Sequence, residues 1–231
     1  MQTLRASKCG LSTTQLPSSI LDVIDSLTKA GYDAYIVGGG VRDLMLGLEP
    51  KDFDAVTNAT PSQIKEVFGR RCRIIGRRFE LAHVYSGREL IEVATFRAPP
   101  KKAVTSAAGM ILRDNNWGTI EQDFVRRDFS INAMYYQPRK GIVLDFCNAI
   151  EDIQSRTLRL LGDPLLRFEE DPVRMLRAVR FAAKLGLTIS DRSAEPISRL
   201  APLLQDIPSA RLFEETIKLF LAGHALSTYQ L

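Results

Sequence analysis

Two aspartates separated by one residue, in Lys51-Asp52-Phe53-Asp54, are the residues best suited to chemistry in this 231-residue chain. On a strand, residues i and i+2 point to the same face, so Asp52 and Asp54 are expected to project together while Phe53 turns into the opposite layer. Two carboxylates held side by side repel unless a cation joins them. A hard divalent ion, Mg²⁺ or Mn²⁺, suits such oxygen donors. These ions serve phosphoryl transfer by activating the attacking oxygen and neutralising phosphate charge. Alone, such a pair also fits a solvated strand, so its neighbours decide its meaning.

Upstream lies Gly38-Gly39-Gly40, between a short apolar run (Ala34 to Val37) and a short helical pattern (Val41 to Leu46). Glycines there let backbone approach a ligand, and the helix start offers free N–H groups to a phosphate. Tight packing is the alternative reading. The G-x-G-x-x-G pattern fails at Asp43, and no G-K-[ST] follows, so neither a dinucleotide fingerprint nor a P-loop is present. Downstream, Glu92 is the one charge within Leu90-Ile91-Glu92-Val93-Ala94. On a strand beside that of Asp54 it would complete a metal site.

The elements that must position these groups follow from periodicity. Residues 19–30 carry apolar side chains at helical spacing. Strands are expected at 34–37, 53–57, 73–75, 82–85, 89–95 and 142–145. Thr60-Pro61 starts a helix through Phe68, and residues 99–109 read as a mobile loop. From Pro164 onward the pattern is helix after helix. The expected organisation is a flexible leader at 1–18, a head domain at 19–160 and a helical domain at 161–231.

Composition limits the classes of function. The chain is 45% hydrophobic and 25% charged, with net charge +4, which suits a soluble protein and permits a polyanionic partner. No apolar run approaches the roughly 20 residues of a membrane span, and no secretory signal is evident. Three scattered cysteines, Cys9, Cys72 and Cys147, argue for a reducing compartment, and the cytoplasm is the expected location. Basic residues cluster at Arg70, Arg71, Arg73, Arg77 and Arg78 and could meet RNA phosphates.

Three motifs in order carry a family resemblance. Ile36-Val37-Gly38-Gly39-Gly40-Val41-Arg42-Asp43 with the following Asp52-Phe53-Asp54 resembles the active-site signature of bacterial poly(A) polymerases and class II tRNA nucleotidyltransferases, in the polymerase-beta-like superfamily. Arg126 to Asn132 resembles the family's second motif, and Glu170 to Arg177 its neck-helix motif. The resemblance implies an α+β nucleotidyltransferase head with a mixed sheet, followed by an all-helical neck, with body and tail domains expected to be absent. It implies Asp52 and Asp54 as metal ligands and catalytic groups with Asp128 and Glu92. Gly38, Gly39 and Arg42 would meet the triphosphate, and Arg126, Arg127 and Asn132 the ribose and phosphates. Asp171 and Arg174 would read the base. Glu170, Arg174 and Arg177 on one helix would form a polar edge, although a solvated salt-bridge face fits the same spacing.

The implied reaction adds AMP from ATP to RNA 3′ ends. Ile75 to Val84 and Leu112 to Asn115 resemble the poly(A) polymerase branch, which is favoured over CCA addition to tRNA. A catalytically impaired RNA-binding fragment is the non-enzymatic rival. The loop after Phe96 is shorter than is usual in the poly(A) branch, which bears on nucleotide choice.

Overall fold

The structure is a computed structural model, and it describes residues 1–76, 80–99 and 116–231. Arg77, Arg78, Leu112 to Asn115 and most of the expected loop at 99–109 lie outside the described residues. Packing divides the chain into two units: residues 1–127 with 132–147, and residues 128–131 with 148–231. The expected boundary at 160 therefore moves to 147, and four residues of the second motif, 128–131, belong to the second unit.

The first unit is built on eight strands: β1 (Gln2–Arg5), β2 (Ala34–Val37), β3 (Asp54–Thr57), β4 (Cys72–Ile75), β5 (Leu81–Ser86), β6 (Glu89–Thr95), β7 (Met134–Gln137) and β8 (Ile142–Asp145). Its helices are α1 (Ser18–Lys29), α2 (Gly39–Met45), α3 (Pro61–Phe68) and α4 (Ile120–Arg126). The strands form one mixed sheet in the order β1-β8-β7-β2-β3-β6-β5-β4. Among the described residues β3 and β6 form its parallel pair, and the other neighbours run antiparallel. Residues 1–18, expected as a flexible leader, instead supply edge strand β1, which pairs with β8 from Gln2↔Asp145 to Arg5↔Ile142.

Register aligns one row of residues across all eight strands: Thr3, Leu144, Tyr135, Val37, Asp54, Glu92, His83 and Arg73. Paired positions share a face, so this row marks one side of the sheet. The other side is covered by α1 and α3. Helix α1 buries Ile20, Val23, Ile24 and Leu27 at helical spacing. Helix α3 is capped by Thr60, which accepts from the Gln63 amide while its own amide donates to Gln63 Oε1 at 2.8 Å, with Pro61 at the first helical position.

The row's own side is roofed along half its length. Val37, Val56, Phe96, Tyr135 and Leu144 form a buried cluster, against which Ile120 and Phe124 of α4 pack. Strand β7 and helix α4 were not expected from periodicity. Beyond Asp54 the row becomes accessible, so the candidate carboxylates stand where the roof stops.

The second unit comprises α5 (Ala149–Gln154), α6 (Pro164–Glu170), α7 (Val173–Leu185), α8 (Asp191–Ala194), α9 (Ile197–Leu200), α10 (Ser209–Phe220) and α11 (Ala225–Gln230). It also holds a short parallel pair, β9 (Thr157–Leu158) and β10 (Thr188–Ile189), so it is not wholly helical. Phe129 and Phe181 meet edge to face at 5.6 Å in its core.

Candidate active site

Asp54 opens β3, and its Cα partner on the parallel strand is Glu92. Asp52 lies two residues before the strand rather than on it, so the alternation expected to align it with Asp54 does not extend that far. Asp52 is exposed and Asp54 half-buried, with Phe53 buried between them. Burial pushes the Asp54 carboxyl up to about 6, and the charges of Glu92 and Asp52 add to the rise, while Arg127 works against it. The charges of Glu92, Asp52 and Arg127 are thus all felt at Asp54. His83 Nε2 lies 3.6 Å from Glu92 Oε1 on the far side. Among the described residues no three His, Cys, Asp or Glu side chains form a ready-made metal centre.

The glycine run serves this place in two ways. Gly38 adopts φ +76°, a left-handed conformation that suits glycine, and a Cβ there would stand 3.9 Å from Asp54 Oδ2. Gly40 makes a close approach: an added Cβ would lie 2.7 Å from the Phe53 ring and 3.2 Å from the Asp52 carbonyl oxygen. Gly40 therefore fixes α2 against the segment that carries Asp52. The tight-packing reading of the run is met at Gly40.

Arg42 is buried rather than open. Its Nε donates to Asp43 Oδ1 at 2.7 Å and its Nη1 to Asn132 Oδ1 at 2.8 Å. Gly39 lies directly over this guanidinium, 3.4 Å from Nη2 for an added Cβ. Arg42 and Asn132, from two different motifs, thus lock together beneath the glycine turn.

Arg127 is held by residues that periodicity did not single out. Its Nε and Nη2 donate to Asp123 Oδ2 at 3.2 and 2.9 Å, and its Nε also reaches Tyr135 Oη at 3.0 Å. The Tyr135 hydroxyl donates to the same Asp123 oxygen at 2.8 Å. Burial opposes the Arg127 charge, yet Tyr135 and Asp123 hold its pKa above the usual arginine value. The i,i+4 spacing of Asp123 and Arg127 was the available signal. Arg126 is half-buried at the end of α4.

The remaining expected site residues lie in the second unit. Asp128 accepts from the Phe129 amide at 2.7 Å and from Arg177 Nε at 2.9 Å. Burial works against the Arg177 charge, but Asp128 raises its pKa. The expected single neck helix is broken. Helix α6 ends at Glu170, Asp171 is extended (φ −153°, ψ 89°), and α7 begins at Val173. Pro172 causes this, because proline drives its predecessor out of the helical region. Asp171 is therefore not on the helix of Arg174 and Arg177. It accepts from Arg211 at 2.7 Å, and its buried Oδ1 has no hydrogen-bond partner. Arg174 Nη1 donates to the Arg167 carbonyl at 2.6 Å and to Glu170 Oε2 at 3.3 Å. Burial and Arg167 lower its pKa. On α7 Met175 and Ala182 are buried, whereas Leu176, Val179 and Ala183 are half-buried.

A mixed sheet with an acidic pair beside a glycine turn, joined to the three motifs, defines a nucleotidyltransferase-like head. Residues 34–159 match the family model "Poly A polymerase head domain", and the chain belongs to that family. Residues 186–231 match "Probable RNA and SrmB-binding site of polymerase A". The chain is 50% identical to Poly(A) polymerase I of Haemophilus influenzae, over 99% of this chain and 52% of that protein. It is 34% identical to the CCA-adding enzyme of Lactobacillus helveticus, over 91% of this chain and 52% of that one. Among solved structures, the Bacillus stearothermophilus CCA-adding enzyme in complex with CTP matches with a TM-score of 0.77 and 33% identity, covering 91% of this chain and 50% of that one. The chain thus spans about half the length of the relatives it matches.

Proposed function

We propose that this chain carries the transfer site of a template-independent RNA adenylyltransferase. An RNA 3′-hydroxyl attacks the α-phosphate of ATP. The new 3′-O–P bond forms as the bond to the β-phosphate bridging oxygen breaks, the hydroxyl proton is lost and pyrophosphate leaves. The observation that carries this reading is Asp54, whose carboxyl is driven up to about 6 by burial and by the adjacent Glu92 and Asp52. A carboxylate so burdened suits a hard divalent cation, and the all-oxygen donor set favours Mg²⁺ or Mn²⁺. Asp52 and Asp54 would hold the ion, which lowers the barrier to attack on phosphorus and neutralises charge on the phosphates.

Within the chain, Gly38 and Gly39 keep side-chain bulk away from the nucleotide. Arg42 and Asn132 stiffen the turn, and Arg127 faces the carboxylates as a fixed positive charge. On the resemblance, Asp128 is a further catalytic carboxylate. Arg126 meets phosphate or ribose, Asp171 and Arg174 read the base, and Arg177 belongs to the same nucleotide-binding set. The free acceptor at Asp171 Oδ1 supports the last of these. Greater identity to a poly(A) polymerase than to a CCA-adding enzyme supports adenylate as the product. No described helix is long and apolar enough to cross a membrane. Among the described residues Cys9 and Cys72 are free thiols, which supports a reducing cytoplasmic location.

Primer extension with each nucleotide singly tests the proposal. ATP alone should extend a generic RNA, and Asp52→Ala or Asp54→Ala should abolish extension while the fold persists. Normal incorporation by either variant sinks the assignment. CTP added before ATP on tRNA lacking its CCA end would select the CCA-adding reading. RNA binding without incorporation of any nucleotide would select the inactive fragment.

A further inference from the structure

Beyond Asp54, the accessible half of the sheet face has a distinct chemistry. The register row continues through Glu92 and His83 to Arg73 on edge strand β4. The neighbouring row on the same face is Leu90 on β6 opposite Tyr85 on β5. Leu90 is 42% and Tyr85 39% exposed, and Ile75 at the end of β4 is 40% exposed. Residues of opposite parity (Cys72, Val84, Ile91 and Val93) are buried on the helix side, so this assignment of faces is unambiguous. The Arg73 guanidinium lies 6.0 Å from the Tyr85 ring centroid.

Charge and continuity identify the occupant. Among the described residues Arg70, Arg73 and Arg88 are exposed and make no ion pair. Arg70 stands at the entry to β4 and Arg88 at the turn from β5 to β6. Arg71, by contrast, is tied to Asp22 at 2.7 Å. Three cations that make no ion pair among the described residues, around an exposed aromatic ring and an exposed leucine, match a strand of bases joined by phosphates. The surface is continuous with the carboxylates. Three strand spacings separate Asp54 from Arg73, on the order of 14 Å, and a stacked strand advances about 3.4 Å per nucleotide. The run therefore spans roughly four nucleotides of a strand ending at Asp54.

We propose that this half-face, exposed among the described residues, is a platform for the 3′ segment of single-stranded RNA. Tyr85 and Leu90 receive its bases, and Arg73, with Arg70 and Arg88, receives its phosphates. The inference rests on the proposed function and gives the acceptor strand a path to the reaction centre.

Fluorescence anisotropy with a labelled oligoadenylate tests it. Tyr85→Ala should weaken binding about ten-fold, while Tyr85→Phe, which keeps the ring, should bind like the parent. Arg73→Glu should weaken binding by a similar factor, and Arg73→Ala should flatten the salt dependence by about 0.7 in log–log slope. The KM for ATP should stay unchanged in all four. If Tyr85→Ala and Arg73→Glu bind oligoadenylate like the parent, the platform is wrong. Equal losses in Tyr85→Phe and Tyr85→Ala would exclude stacking and also overturn it. Circular dichroism melting checks folding, and if Tyr85→Ala does not fold, Arg73→Glu decides. A parent chain that binds oligoadenylate in this manner but adds no AMP would sink the proposed function and leave the platform standing. A parent that adds AMP with both variants at full RNA affinity would do the reverse.

Discussion

Asp54 is the residue at which burial, charge and catalysis conflict. Its folded pKa, about 6, lies above the ordinary aspartate value. The folded state therefore binds this proton more tightly than the unfolded chain does. The associated stability is present below the unfolded pKa and is lost as pH rises through about 6. Metal-free protein should be less stable near pH 7.5 than near pH 5 on account of this group, by on the order of 1 kcal/mol, and should melt at a correspondingly lower temperature. Asp54→Asn should remove that contribution, and Mg²⁺ or Mn²⁺ should raise the melting temperature of the parent more near pH 7.5, where no proton competes for the carboxylate. Thermal unfolding in EDTA and in metal, at both pH values, checks this. A pH slope that persists in Asp54→Asn would remove Asp54 as its source. A second residue-scale prediction concerns Arg174. If it reads the base, Arg174→Ala should relax the preference for ATP over CTP in single-nucleotide extension. Full discrimination in the variant would assign base choice elsewhere.

At the scale of elements, α4 and β7 make the roof that ends beside Asp54. Tyr135 on β7 joins them, because its hydroxyl binds both Asp123 and Arg127 of α4. Tyr135→Phe should cost about 1 kcal/mol, since one buried hydrogen-bonded hydroxyl is lost while the Asp123–Arg127 pair remains. Asp123→Ala should cost more, because it leaves Arg127 buried without its main counter-charge. Chemical denaturation measures both, and equal losses would mean that the hydroxyl, not the ion pair, secures the roof. This roof was the part of the site hardest to read in the sequence. Strands β2 and β6 are near-continuous apolar runs, and Thr60-Pro61 announces α3, so these elements and the Asp54–Glu92 pairing were readable. Helix α4 was not, although Thr119 and Gln122 form a capping box at its start, because its seven residues are too few to establish a period. Strand β1 was hidden because its register depends on β8, some 140 residues away. Local spacing also gave a continuous helix from Glu170 to Arg177. The constraint that Pro172 places on Asp171 interrupts it, and with it the shared polar edge expected there.

Across the molecule, the net charge of +4 is a weak guide, because many of the described arginines are already paired. Arg42, Arg71, Arg127, Arg139, Arg159, Arg167, Arg174, Arg177, Arg180 and Arg211 all face carboxylates. Among the described residues, Arg70, Arg73 and Arg88 are the exposed arginines beside this sheet face that make no ion pair. Each phosphate neutralised on single-stranded nucleic acid contributes a slope of about −0.7 to log affinity against log salt. If these three arginines supply the contacts of the first unit, replacing all three with alanine should reduce the slope of oligoadenylate binding by roughly 2. Replacing Arg139, which is paired with Asp25 on the same unit, with alanine should leave the slope unchanged. The salt dependence of AMP incorporation at subsaturating RNA should change in parallel, because the strand bound on the platform is the one extended. A triple variant that keeps the parent slope in binding but loses it in incorporation would show that the extended strand reaches Asp54 by another path.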